Sequence, residues 1–424
     1  MSFKINFLKN PFYYSILFGI FMWLFFFFIL PVTIQDDVKI TTVLYVLSSY
    51  FFLILGFNLF NFCPEPNSQL KDNTSLLIKM LILVVFASFI LRWIDLFLIR
   101  DLSFDFLPKE NRSINWDNSF KSNFIFSLAS VIKSLYFFPI VILITLKNNK
   151  NKYLFALACF ILIFPTVEAI LLGTRRPFVE LFVLIIITLL ISNKLTFNIK
   201  QILIISLSIL MLLSISMAIL INRESKLKSE GENFYVEILS SRYNDKVELS
   251  LDVRDFFKNP ENPEFLKYFL ISLLQVGQYM IHGLFEFNHL VSIDKPEISY
   301  GKHTFYPLVK FYNSFDLFED LELKNYTPRG YVYLTFFGGM YLDFRWFGLL
   351  FFLLFGISQK YLYQKSLTNI IYKPLLVYVL MINVFLLSFN FLRGSGLYPI
   401  FGFCIFFFSF KLFNILKYEK GISP

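Results

Sequence analysis

The sequence predicts an all-α polytopic integral membrane protein of about ten transmembrane helices, with one long outer loop that contains a surface or re-entrant helix. Three observations carry this. Charged residues make up only 16% of the 424, against 56% hydrophobic, 58 Phe and a mean hydropathy of +0.62, whereas soluble chains are about a quarter charged. Apolar runs recur at roughly the 20-residue length that crosses a bilayer as a helix. Lysine and arginine fall on opposite sides once those runs are laid out, an asymmetry of the kind that fixes orientation in a membrane.

The first run, 12–30, is too long for a signal-peptide core and has no small-residue cleavage site, so it is expected to stay as a span. Runs at 41–60, 76–99, 124–146, 153–172, 177–192 and 201–221 follow, and a second group covers 336–358, 374–392 and 397–416. With the N-terminus inside, one set of connections holds fourteen lysines, three acids and none of the eleven arginines. That side is read as cytoplasmic. The apolar stretch 265–290 carries Lys267, Gln275, Gln278, His282, Glu286, Asn288 and His289. Counting it as a crossing would throw Lys360, Lys365, Lys373 and the lysine-rich C-terminus outside, so it is expected to lie along the surface or to dip and return. The chain then divides into a seven-span region 1–221, a large periplasmic loop 222–330 and a three-span region 331–424. A loop of that length, punctuated by Pro260, Pro263, Pro296, Pro307 and Pro328, is far beyond a connector.

Several classes are set aside. Cys159 and Cys404 lie inside apolar runs and Cys63 ends one, so neither a disulfide framework nor a CxxC metal site is expected. The net charge of +9 is mostly lysine and comes with no nucleic-acid motif, and no Walker or Rossmann signature is present. No cofactor and no metal are expected.

Arginines held against the cytoplasmic bias suggest an anionic ligand on the outer side, a diphosphate above all, because a guanidinium fork matches phosphate oxygens. Arg175 and Arg176 sit in the tight hairpin Gly173-Thr174-Arg175-Arg176-Pro177, at the start of a helix whose free N–H groups also favour anions. The alternative is snorkelling to lipid headgroups. Arg393 occupies a similar glycine-rich turn, Arg393-Gly394-Ser395-Gly396, and Arg223 and Arg329 flank the long loop. If 265–290 is helical, His282, Glu286 and His289 share a face, and with His303 they are the candidates for a general base. Their spacing is a weak metal signal. Charges inside the spans, Arg92, Asp95, Lys133, Glu168, Glu180, Asp343 and Arg345, are functional suspects by default, although Arg92 and Asp95 read equally well as a neutralising pair.

The stretch Ser299-Tyr300-Gly301-Lys302-His303-Thr304-Phe305-Tyr306-Pro307, then Arg329-Gly330-Tyr331, then Phe337-Gly338-Gly339-Met340-Tyr341-Leu342-Asp343-Phe344 with Gly348, resembles the oligosaccharide repeat unit polymerases (Wzy-type O-antigen and capsule polymerases). The Gly-Thr-Arg-Arg hairpin is similar to that family's small-residue-plus-arginine turn. Arg345 departs from a commoner glycine after Asp-Phe. The resemblance implies a multi-pass protein of the bacterial inner membrane, a metal-independent glycosyltransferase with its active site facing the periplasm. Its substrate would be an undecaprenyl-diphosphate-linked oligosaccharide. Membrane lipids and a chain-length regulator protein are the other partners it implies. Arg175, Arg176, Arg223, Arg329 and Arg393 would bind the diphosphate, and the base would come from His282, Glu286, His289 and His303. Tyr279, Tyr300, Tyr306, Tyr326, Tyr331 and Tyr333 could stack on sugars or anchor at the interface. An O-antigen ligase would share the spans and the donor but use lipid A core as acceptor. A flippase would spread polar residues along the spans and carry inverted repeats, which are absent.

Overall fold

A computed structural model describes residues 10–62, 74–118, 124–146, 151–195, 198–223, 235, 245–294, 296–313, 324–330 and 332–419. The protein is mostly helical, and among the described residues eight helices are long and apolar enough to cross a membrane: Pro11–Ile29, Ile40–Leu59, Thr74–Ile99, Phe124–Thr145, Lys152–Leu171, Ile199–Ile219, Phe336–Thr368 and Gly394–Lys411. The two remaining expected runs form shorter helices, Arg176–Ile191 and Tyr372–Val384. One feature departs from an all-helical reading: Val32–Ile34 and Val247–Leu249 pair as a two-stranded antiparallel ribbon, with Thr33 opposite Glu248.

The chain forms two compact units, each drawn from distant parts of the sequence. The first gathers Met1–Phe62, Leu195–Tyr361 and Val379–Gly394; the second gathers Cys63–Lys194, Leu362–Tyr378 and Ser395–Pro424.

In the first unit the long helix Glu264–Ser292 is the central element. Its polar residues are buried rather than solvated, Gln275, Gln278, His282, Glu286 and Asn288 among them. Two of them tie the helix to neighbouring chain: Gln278 Nε2 donates to Val247 O at 2.8 Å, and Asn288 Oδ1 accepts from the Lys39 N–H (2.7 Å) and the Thr42 hydroxyl (3.0 Å) while its Nδ2 donates to Asp37 O (3.0 Å). Gly277 packs against the Leu30 side chain. Gly277 and Asn288 therefore both lie at the link between the first two long helices.

The expected span 374–392 is helical only to Val384. The segment 385–392 that follows is buried but irregular. Backbone at such depth is tolerated only where other protein groups satisfy it, and here Phe336 N–H donates to Leu386 O (3.1 Å) and Asn390 N–H to Leu334 O (3.0 Å). Within the segment the Asn390 side chain accepts from the Leu392 N–H at 3.1 Å, a local bond that competes with helical pairing. The segment lies hard against the long helix: a Cβ on Gly283 would sit 2.2 Å from Ser388 O.

In the second unit, spans are joined by buried charge. Asp95 pairs with Arg92 and with Arg100 (3.1 Å), and Glu168 pairs with Arg92 (3.4 Å) and accepts from Lys133 Nζ (2.6 Å). The Arg92–Asp95 pair is thus part of a five-residue network. In a low-dielectric interior, mutual pairing is what makes such charges tolerable.

Candidate functional site

The turn after the long helix docks on the end of the Phe336–Phe344 helix through one carboxylate. Asp343, wholly buried, accepts from the Ser299 hydroxyl (2.5 Å), the His303 N–H (3.1 Å) and the Thr304 N–H (3.0 Å). Ser299 N–H also donates to Leu342 O at 3.2 Å. The helix begins where it does because the Thr335 side chain accepts from Gly338 N–H at 2.8 Å, a good N-cap. Just past Asp343, Arg345 takes a φ of +51°, which costs a side-chain-bearing residue about 1–3 kcal/mol. Glycine would accept that conformation without strain. Arg345 offsets the cost by donating to Pro296 O, Glu297 O (3.4 Å) and Tyr341 O (3.3 Å), so it grips the same turn that Asp343 holds.

The irregular segment meets this turn from another side. Asn390 Nδ2 donates to Thr304 Oγ1 at 2.8 Å, and its Oδ1 accepts from Leu392 N–H at 3.1 Å. Gly339 leaves room for this contact, since a Cβ there would lie 2.2 Å from Asn390 Nδ2. Three residues on, Arg393 N–H donates to Asn390 O at 3.3 Å. The half-buried Arg393 guanidinium makes no ion pair among the described residues. Burial lowers its pKa, and the nearby Tyr333, Tyr306 and Asp343 oppose that; an arginine stays cationic under such conditions. His303 is 3% exposed, and its Nε2 is buried without a hydrogen-bond partner. Burial first, and the Arg393 charge second, hold its pKa well below the ordinary histidine value. The result is a neutral imidazole within the field of a guanidinium that makes no ion pair among the described residues.

The other expected site residues fall elsewhere. Glu286 and Arg329 meet, but as partners: Arg329 grips both Glu286 oxygens, with Nε to Oε2 at 3.1 Å, and NH1 reaches Asp245 at 2.7 Å. A carboxylate held this way is a poor base, and a guanidinium held this way is a poor phosphate ligand. His282 is buried, with Nδ1–H donating to Gln278 O (3.1 Å) and Tyr279 O (3.0 Å) of its own helix, and burial pulls its pKa down to about 4. His289 shares that helix but sits beside Asp36 (3.7 Å) and Lys246, which pairs with Asp36 at 2.8 Å. Arg223 ends the Ile199–Arg223 helix, and its side chain is outside the described residues, as are Arg242 and Tyr331 entirely.

Arg175 and Arg176 belong to the second unit, where Arg175 is the N-cap of the Arg176–Ile191 helix and Arg176 pairs with Glu180. Arg112 steadies their hairpin by donating to Leu172 O (3.2 Å) and Gly173 O (3.1 Å). Asn390 was not picked out by sequence, and Thr304 only as a member of the 299–307 stretch; Asn390 lies in an apolar run, and a polar residue in such a run was the available signal. Among the described residues no group of three or more His, Cys, Asp or Glu side chains converges as a metal site.

Chemically, the Arg393 and His303 pair can neutralise an anion and accept a proton, while Arg329 and Glu286 serve cohesion. Arg329→Ala should therefore destabilise the protein by about 3–5 kcal/mol, because it leaves Glu286 buried and unpaired. The double change Arg329→Met with Glu286→Leu should recover most of that loss, read as the unfolding midpoint in detergent.

The histidines give a second expectation. In the unfolded chain they protonate near 6.5, whereas His282 and His303 stay neutral in the fold well below that. From pH 6.5 down to about 4, the folded-state value of His282, the unfolded state takes up these protons in preference to the fold, so stability should fall as pH drops through that window. His303→Asn should flatten the slope, and a slope unchanged by it would count against the assignment. No family model, curated protein or solved structure matches this chain.

Proposed function

We propose that this chain is a polymerase that joins undecaprenyl-diphosphate-linked oligosaccharide repeat units into O-antigen or capsular polysaccharide at the periplasmic face of the bacterial inner membrane. The single observation that carries the reading is Arg393, cationic, half-buried and without an ion pair among the described residues, close enough for its charge to act on the neutral His303. In this reaction an acceptor sugar hydroxyl attacks the anomeric carbon of the donor sugar. The new glycosidic bond forms as the bond from that carbon to the lipid diphosphate breaks. The electron pair and the growing negative charge leave on the diphosphate, where Arg393 offsets them. The hydroxyl proton passes to the neutral imidazole of His303.

The topology proposed with it has ten crossings, both termini cytoplasmic and the 222–330 region outside. It is supported by the lysine distribution. The resemblance of the Ser299–Pro307 and Phe337–Phe344 stretches to the repeat unit polymerases supplies the substrate class. It gains support from the way Asp343 joins those two stretches.

The test is turnover of lipid-diphosphate-linked repeat units by purified protein. Arg393→Lys should lower kcat by about 10²–10³-fold, the loss typical of removing one preorganised donor, because lysine keeps the charge but not the fork. The reaction should proceed in EDTA without ATP. Wild-type turnover in Arg393→Lys, or loss of activity on chelation with recovery by Mg²⁺, would overturn the reading.

A further inference from the structure

Arg393 and His303 belong to segments ninety residues apart in sequence, and one residue links them. Asn390 reaches each through its own chemistry: its backbone carbonyl accepts the Arg393 N–H at 3.3 Å, and its Nδ2 donates to the hydroxyl of Thr304, the residue bonded to His303, at 2.8 Å. Its third group, Oδ1, accepts from Leu392 N–H at 3.1 Å and so closes the short turn that presents Arg393. Both ends are anchored in turn. Thr304 and His303 hang on Asp343 through their N–H groups, and Asn390 N–H is tied to Leu334 O at 3.0 Å. The link is also sterically selected, since Gly339 leaves space that any side chain would take from the Asn390 amide.

We propose that Asn390 is a positioning residue, which through its hydrogen bond to Thr304 sets the distance between an anion held by Arg393 and the imidazole of His303. The inference rests on the polymerase reading for its reaction but on its own hydrogen bonds for its geometry. Asn390 touches neither donor nor acceptor. Its contribution is to keep the departing diphosphate and the proton acceptor in step, so losing it disturbs alignment in the transition state while leaving the anion's binding group in place. Misplacement by about an ångström costs on the order of a hundredfold in rate.

The bond has two ends that can be cut separately. Asn390→Ala and Thr304→Val should each lower kcat by about 10- to 100-fold with KM for the lipid-linked donor within about twofold. Thr304→Ser, which keeps the acceptor oxygen, should retain turnover near that of the wild type. Because both cuts remove one and the same bond, the double variant should be no slower than the slower single variant. Binding of inorganic diphosphate to the purified full-length protein, followed by calorimetry, should survive in Thr304→Val and weaken in Arg393→Ala. If Asn390→Ala fails to fold, Thr304→Val against Thr304→Ser still decides. Wild-type kcat in Thr304→Val, multiplicative losses in the double variant, or an effect confined to KM would overturn the inference while Arg393→Ala remained impaired. Unchanged diphosphate binding and turnover in Arg393→Ala would instead remove the anion reading, and this inference with it.

Discussion

The carboxylate of Asp343 is the interaction on which the first unit's chemistry depends. It is buried, and its two oxygens are satisfied by one hydroxyl and two backbone N–H groups of a single turn. A buried charge without such partners would be prohibitive; with them it becomes a rigid joint between the Phe336–Phe344 helix and the 299–305 turn. His303 is placed by that joint. Through Thr304 and Asn390 the same joint reaches the irregular segment that ends in Arg393. Arg345 reinforces it with carbonyl contacts on the residues just before Ser299, which explains why a strained backbone is kept there.

Charge in this molecule falls into two kinds. Most arginines whose side chains are described, and Lys133 with them, are spent on cohesion: Arg329 on Glu286 and Asp245, Arg254 on Glu248 at 2.7 Å, Arg176 on Glu180, and Arg92, Arg100 and Lys133 on Asp95 and Glu168. Such groups are poor ligands for an external anion, because binding one would first break a pair already desolvated. Arg393 belongs to the other kind. Among the described residues it makes no ion pair, and its charge is felt by Tyr333, Tyr306, Asp343 and His303, so an incoming phosphate would displace no ion-pair partner among them.

The helices were largely legible from sequence because a bilayer imposes a coarse rule of length and apolarity, and the long runs read at 12–30, 41–60 and 76–99 recur as helices within a few residues. The end of the Tyr372–Val384 helix was not legible. Hydropathy continues unbroken through Phe385-Leu386-Leu387, and only the partner backbone at Leu334 and Phe336 makes the irregular path affordable. The ribbon joining Val32–Ile34 to Val247–Leu249 was likewise hidden, being three residues per strand and over two hundred apart in sequence. At the site, individual residue types pointed to Arg393 and His303. Pairing did not show, because Glu286 and Arg329, 43 positions apart, neutralise each other only once folded. A charge census sees two candidates where the fold has made one ion pair.

The most direct measurement is hydrogen exchange at the His303 and Thr304 amides, followed by mass spectrometry in detergent, in wild type and in Asp343→Asn. Asparagine presents one acceptor oxygen where the turn needs two. If Asp343 is the joint, both amides should exchange slowly in the wild type and lose protection in the variant, while the apolar helices keep theirs. Equal protection of His303 and Thr304 in the two proteins would contradict the account at its root.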